Sequence, residues 1–155
     1  MKSLLVVLSL VSFLNAEMVE VVADKFYADE VKQITEFAGN VVVTKGKDKL
    51  AAKKVVITFN KQRQPLKYTA TGNTTLDVIM KDKVYFGKAQ TMIYDPIKDQ
   101  YTFIRDAFLH EKVTNKKVYG DKIFVNQATG RYEVESDGKK PVKFIFKVEE
   151  KKKKW

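Results

Sequence analysis

Few side chains in this sequence are of the types that perform catalysis or hold metal ions. The chain has no cysteine and a single histidine, His110. Beyond residue 16 it has one serine, Ser136, which is followed by the turn residues Asp137 and Gly138. A nucleophilic serine needs a base within reach, and zinc or copper needs several histidine or cysteine ligands. The sequence therefore predicts no catalytic residue, no metal site and no cofactor.

Two carboxylates, Asp95 and Asp99, flank a turn that contains Pro96. Paired carboxylates can hydrolyse glycosides, but aspartates in such turns also accept hydrogen bonds from the turn's own amides. The sequence contains no glycine-rich phosphate-binding motif. We interpret both aspartates as turn residues and predict a binding or scaffold protein, not an enzyme.

The N-terminus has the layout of a secretory signal peptide. Lys2 precedes an apolar stretch from residue 4 to residue 14, and Ala16 supplies the small residue expected at a cleavage site. The stretch is shorter than the roughly 20 apolar residues that cross a bilayer. We predict a cleaved signal peptide at 1–16, one domain at 17–148 and a basic tail at 149–155, with export of the mature protein.

The formal net charge is +10 and the pI is about 9.6. A basic protein often binds nucleic acid, but export and the spread of lysines over turns and strand faces argue against that partner. Lysines at such positions protect sheet edges from aggregation. They also attract phosphorylated ligands or anionic surfaces, and the charge pattern leaves these two roles open.

Alternation of apolar and polar residues at period two dominates the chain, and no run of apolar residues has helical spacing. Such runs are typical of antiparallel strands with one wet face. Alternation alone does not distinguish a closed core from an open groove. The predicted inward residues are Val41, Val43, Val55, Ile57, Phe59, Leu76, Val78, Met80, Met92, Tyr94, Ile123 and Val125.

Short motifs recur along the chain at near-regular spacing, which is the signature of stacked repeats. Gly39-Asn40 and Gly72-Asn73 each lie where a strand run begins, and glycines there predict bulges or close backbone approach. Arg105-Asp106 stands where a third Gly-Asn pair is expected. That departure leaves open whether the third copy forms a bulge.

Residues 37–46 (FAGNVVVTKG) and 50–58 (LAAKKVVIT) closely resemble the OstA-like repeat, and residues 87–95 and 120–123 are similar to its later copies. Four copies in this order behind a signal peptide resemble the LptA/OstA-like family of periplasmic lipopolysaccharide export proteins. The resemblance extends over residues 19–135, most of the predicted mature chain.

The resemblance implies an all-β fold, a twisted open jelly roll whose two antiparallel sheets form a V-shaped apolar groove. In such a protein, the acyl chains of lipid A are shielded in the groove, and end-to-end stacking bridges the inner and outer membranes. The resemblance places Val19, Val21 and the inward residues through Tyr94 along the groove. Alternation adds Ile123 and Val125 to that face, and places Phe144, Phe146 and Val148 on an end strand expected to dock partners.

The implied partners are lipopolysaccharide, an inner-membrane jelly-roll export component, the outer-membrane lipopolysaccharide translocon and further copies of this chain. One alternative is the inner-membrane-anchored jelly-roll component of the same pathway, which keeps an N-terminal membrane helix. Another is a passive β-structural module with a closed core. A third is a nucleic-acid-binding β-barrel, which would bind nucleic acid with steep salt dependence.

Overall fold

A computed structural model describes residues 18–149 and contains ten strands and no helix in that range. No described helix is therefore long and apolar enough to cross a membrane. The predicted signal peptide and nearly all of the predicted basic tail lie outside the described residues. The strands are β1 Val19–Val22, β2 Lys25–Asp29, β3 Ile34–Lys45, β4 Asp48–Phe59, β5 Pro65–Met80, β6 Lys83–Asp95, β7 Gln100–Glu111, β8 Lys116–Asn126, β9 Arg131–Glu135 and β10 Lys143–Ile145.

All strand pairs are antiparallel and belong to one hydrogen-bonded sheet, which confirms the all-β prediction. Strands β3 to β8 form a meander in which each strand pairs with the next. At one end of the sheet, β1 and β2 both pair with β3, along different parts of its length. At the other end, β9 and β10 share β8 in the same way.

A row of bulges crosses the middle of the sheet. Gly39-Asn40 in β3, Gly72-Asn73 in β5 and Arg105-Asp106 in β7 all have positive φ. The register shifts at each of these places, with two residues of the odd-numbered strand opposite one residue of the following strand. Bulges bend strands, and because these are aligned they divide the sheet along one fold line.

Two half-sheets result, and they face each other across the fold line. Half-sheet I contains β2, β9 and residues 34–38, 54–59, 65–71, 91–95, 100–104 and 122–126. Half-sheet II contains β1, β10 and residues 41–45, 48–52, 74–80, 83–89, 107–111 and 116–120. The prediction of two separate sheets was wrong in this respect, because a single folded sheet supplies both walls, with β3 to β8 contributing to each.

The third bulge forms although it lacks glycine. Arg105 has φ 66° and Asp106 has φ 49°, and the register shifts between Ile104 and Ala107. Aspartate tolerates the left-handed region better than most residues, whereas arginine is strained there. The sequence left open whether the third copy forms a bulge. The structure shows that it does, in line with the bulges of β3 and β5.

The fold line is packed with small buried side chains. They are Ala52, Ala70, Thr74, Ala89 and Ala107, each no more than 9% exposed. Val41 and Ile123, each 1% exposed, complete this floor. Small residues let the two half-sheets approach closely at the fold line, so that the floor is closed by direct packing.

Candidate functional site

Two cavities lie between the half-sheets, above the packed floor. The apolar cavity, about 160 Å³, is lined by Val43, Leu50, Val55, Tyr68, Ala70, Leu76, Met92, Ile93, Tyr94 and Tyr101. The amphipathic cavity, about 170 Å³, is lined by Leu76, Val78, Met80, Lys81, Lys83, Tyr85, Gly87, Tyr101, Phe103, Leu109, Val125, Gln127, Gly130 and Tyr132. Leu76 of half-sheet II and Tyr101 of half-sheet I belong to both linings. The two cavities are therefore neighbouring parts of one groove.

Aromatic rings form a continuous series along the inner face of half-sheet I. The rings of Tyr94 and Tyr101 stack with centroids 4.5 Å apart. Tyr68 continues the series on one side at 5.9 Å from Tyr94, and Phe103 continues it on the other at 6.2 Å from Tyr101. These rings give the wall a broad apolar surface that does not depend on one deep pocket.

The hydroxyl groups on the groove walls are held in their neutral form. Burial, with a smaller effect of the nearby Asp99 carboxylate, raises the pKa of Tyr94 to about 12. Burial also raises the pKa of Tyr85 to about 12, with Tyr132 beside it, and raises the pKa of Tyr101. These tyrosines add no charge to the groove at neutral pH.

The two walls touch at one place near their free margins. The Gln127 side-chain amide, in the turn after β8, contacts the sulfur of Met80 at the end of β5. Both residues line the amphipathic cavity. These two side chains therefore bridge the walls at this point.

The residues whose side-chain types could perform catalysis are engaged in local hydrogen bonds at or near turns. Asp95 accepts hydrogen bonds from the amides of Ile97 and Lys98, both 3.0 Å long. The His110 ring lies 2.7 Å from the side-chain oxygen of Asn115. The Ser136 hydroxyl donates to the carbonyl of Lys140 at 2.6 Å. Within residues 18–149, no cluster of acidic or histidine side chains has the arrangement of a metal site.

The C-terminal strand leaves apolar side chains exposed. Phe144 is 54% exposed and Phe146 is 61% exposed. Only Lys143–Ile145 form β10, and its strand partner is β8. Phe144 and Phe146 also border a surface cavity of about 430 Å³ with Val118 and Leu109. This end of the sheet therefore combines an edge strand with an apolar surface.

The sequence matches a known protein family over most of its length. A family model described as LptA/(LptD N-terminal domain) LPS transport protein matches residues 20–131. The chain belongs to this family. It is a lipopolysaccharide transport protein of the LptA family and not an enzyme, which confirms the prediction from the sequence. The match begins just after the predicted signal peptide.

A solved structure supports the fold assignment. The chain is similar to LptH from Pseudomonas aeruginosa, described as the LptA homologous periplasmic component of the conserved lipopolysaccharide transport device. The TM-score is 0.72 at 18% sequence identity, and the alignment covers 85% of this chain and 96% of that chain. No curated protein matches the sequence significantly.

The structure brings together many of the groove residues predicted for this LptA-family chain. The predicted residues that line a cavity are Val43, Val55, Leu76, Val78, Met80, Met92, Tyr94 and Val125. Val41 and Ile123 lie in the packed floor, while Val21 and Ile57 pack against the core beside it. Phe59 is half-buried outside both linings, and Val19 is 46% exposed on β1.

Several lining residues were missed by the sequence analysis. They are Leu50, Tyr68, Ala70, Tyr85, Gly87, Ile93, Tyr101, Phe103, Leu109 and Tyr132, with Lys81, Lys83, Gln127 and Gly130 at the margins. Tyr101 and Phe103 alternate with Thr102 and Ile104, so period-two alternation was present in β7 as well. The Arg105-Asp106 bulge interrupts that run and hides its continuation through Leu109.

Proposed function

We propose that this chain transports lipopolysaccharide by sheltering its acyl chains between the two half-sheets. The observation that carries the proposal is the pair of neighbouring cavities above the packed floor, which share Leu76 and Tyr101. Each buried CH₂ group contributes roughly 0.8 kcal/mol, so a lipid with several acyl chains needs an apolar sheath to cross water. The predicted groove residues are proposed as part of that sheath.

Transport also requires release, and the chemistry of the groove suits it. The apolar cavity is lined without any charged side chain, so no strong polar contact holds a lipid in one place. Met80 lines the amphipathic cavity and Met92 lines the apolar cavity. Methionine side chains adapt to varied apolar shapes. A shallow, repetitive surface of this kind favours sliding over tight capture.

We further propose that the chain stacks end to end through its terminal strands. β1 and β2 at one end, and β9 and β10 at the other, pair on one side with β3 or β8. Unpaired strand edges accept further strands. The proposed partners are an inner-membrane jelly-roll export component, the outer-membrane lipopolysaccharide translocon and copies of this chain. The proposed docking residues at the second end are Phe144, Phe146 and Val148.

The periplasm is the proposed location, reached after removal of residues 1–16. Two observations support this. The family match begins at residue 20, after the predicted cleavage site, and the structurally similar LptH is described as a periplasmic component. A chain retrieved from the periplasm with an N-terminus near Glu17 is the expected result, whereas an intact Met1 would favour a membrane-anchored component.

Leu76 offers a direct test because it lines both cavities. Leu76→Trp should fill the groove and weaken binding of purified lipid A at least about tenfold, equivalent to about 1.4 kcal/mol. Asp77→Trp is the matched control, because Asp77 lies outside both linings and pairs with Lys112 on the surface. Equal lipid A binding by Leu76→Trp and the wild type, with both proteins folded, would contradict the proposal.

A further inference from the structure

Three turns lie along the free margin of half-sheet II. They connect β3 to β4, β5 to β6 and β7 to β8. Successive strands of the meander run in opposite directions, so every second turn lies at the same margin of the sheet. Neighbouring turns of this set are two strand widths apart, about 10 Å. Their side chains therefore form a regular row beside the mouth of the groove.

This row is rich in lysine. We name the lysine margin the set Lys45, Lys47, Lys81, Lys83 and Lys116, which lie in these turns or at the strand ends beside them. None of these lysines forms a salt bridge with another residue of the range 18–149. Lys112 is excluded from the set because it pairs with Asp77 at 3.8 Å and lies over the Phe86 ring.

Two of the carboxylates in these turns are already engaged by backbone amides. Asp48 accepts a hydrogen bond from the amide of Ile79 at 2.9 Å. Glu111 is buried and accepts from the amides of Val113 and Thr114. Asp82 remains as an exposed acid between Lys81 and Lys83. The lysine margin therefore keeps an excess of positive charge that these turns do not neutralise.

The opposite margin, at the end of half-sheet I, has a different character. Its turns and the strand ends beside them contain the acids Asp29, Glu30, Asp95 and Asp99 and the bases Lys32, Lys61, Arg63 and Lys98. Asp29 and Asp95 accept hydrogen bonds from the amides of their own turns. Positive and negative side chains are mixed at this margin. The groove is therefore bordered by one strongly basic margin and one mixed margin.

Lys81 and Lys83 connect the lysine margin to the groove itself. Both line the amphipathic cavity beside Val78 and Met80, and they are the charged residues of that lining. An amphiphile with its acyl chains against Val78 would present its headgroup to these ammonium groups. A site for free phosphate ions would need no apolar wall beside the lysines, whereas a phosphorylated lipid would use both.

We propose that the lysine margin binds the phosphate groups of the transported glycolipid, with Lys81 and Lys83 as the central pair. This inference rests on the proposed function, since it assigns the headgroup side of the same groove. The regular spacing of the three turns lets a headgroup move from one set of lysines to the next while its acyl chains remain sheltered. Ammonium groups suit this role because they act as point charges with little geometric demand.

The test compares two forms of one lipid, phosphorylated lipid A and lipid A from which the phosphates have been removed. Lys81→Gln/Lys83→Gln should bind the phosphorylated form about three- to tenfold more weakly than the wild type, since exposed charge pairs are individually weak. Binding of the dephosphorylated form should be unchanged. Added salt should shrink the difference by screening the charges.

Lys61→Gln/Lys98→Gln is the matched control, because it removes the same charge from exposed turns of the opposite margin. It should bind both lipids like the wild type. An equal loss in the two double variants would overturn the inference and indicate a general charge effect. Unchanged binding of phosphorylated lipid A by Lys81→Gln/Lys83→Gln would also overturn it while leaving the proposed function intact. Failure of the wild type to bind either lipid would overturn the proposed function itself.

Discussion

Phe103 of half-sheet I packs against the backbone of Gly87 in half-sheet II. Its ring carbon Cε1 lies 3.0 Å from the position that a Cβ atom at residue 87 would occupy. The methyl group of Met92 lies 3.7 Å from the same position. The absence of a side chain at Gly87 therefore allows the buried Phe103 ring to reach the opposite wall beneath the amphipathic cavity.

This contact predicts coupling between the two positions. Gly87→Ala should lower the free energy of unfolding by about 1 kcal/mol, because the added methyl group overpacks against Phe103. In the Gly87→Ala/Phe103→Leu double variant, the smaller side chain makes room for the methyl group. We expect the double variant to lose at least about 0.5 kcal/mol less than the sum of the two single variants. Urea unfolding of the four proteins measures this, and strict additivity would contradict the packing.

The glycine-free bulge gives a prediction with an unusual sign. Arg105 has φ 66°, so Arg105→Gly should leave the free energy of unfolding unchanged or raise it by up to about 1 kcal/mol. Thr102→Gly in the same strand is the control, and should lower stability by about 0.5–1 kcal/mol, as glycine does within strands. A loss of equal size in both variants would contradict the left-handed conformation of Arg105.

The bulges also explain which parts of the groove the sequence could predict. In β4, the inward residues are Leu50 and Ala52 before the fold line but Val55 and Ile57 after it. The inward face thus changes from even to odd numbers at Lys53-Lys54. If every second residue before Val55 is assumed to face inward, the odd-numbered residues are chosen and Leu50 is wrongly placed on the outer face.

The same change of parity occurs in β6 and β8. Tyr85 and Gly87 face inward before the fold line in β6, whereas Met92 and Tyr94 do so after it. Turn residues and alternation were sufficient to predict antiparallel strands, because each strand is locally regular on either side of the fold line, whereas the open jelly roll was implied by the family resemblance. The distance between the two walls decides whether an inward residue lines an open space or, like Val41, fills the floor. The local sequence pattern does not encode that distance.

Raised tyrosine pKa values predict a loss of stability at alkaline pH. The pKa of Tyr94 is raised from 10.0 to about 12 by burial, so the folded state holds this proton more tightly than the unfolded state. The resulting contribution is fully present below pH 10 and is lost as the pH rises from 10 towards 12. Tyr94→Phe should therefore show a shallower decline in the midpoint of urea unfolding over this range. Identical slopes for the variant and the wild type would contradict the burial of this hydroxyl.

The end strand predicts an effect on association without an effect on folding. Phe146→Asp should weaken self-association, or capture by a jelly-roll partner, because it places a charge on an exposed apolar surface beside β10. Val113→Asp is the matched control, since Val113 is 64% exposed in the β7–β8 turn and Phe146 is 61% exposed. Sedimentation velocity measures association and circular dichroism measures folding. Unchanged association in Phe146→Asp would show that this surface is not the docking site.

Photo-crosslinking in living cells can show whether lipid acyl chains contact the inner faces of the half-sheets. A photoreactive amino acid at Val43 or Leu76 lies in the cavity linings, whereas the same group at the adjacent Val42 or Asp77 lies outside them. We expect capture of lipopolysaccharide at Val43 and Leu76 and none at Val42 and Asp77. Equal capture at all four positions, or capture at the outer pair alone, would contradict it.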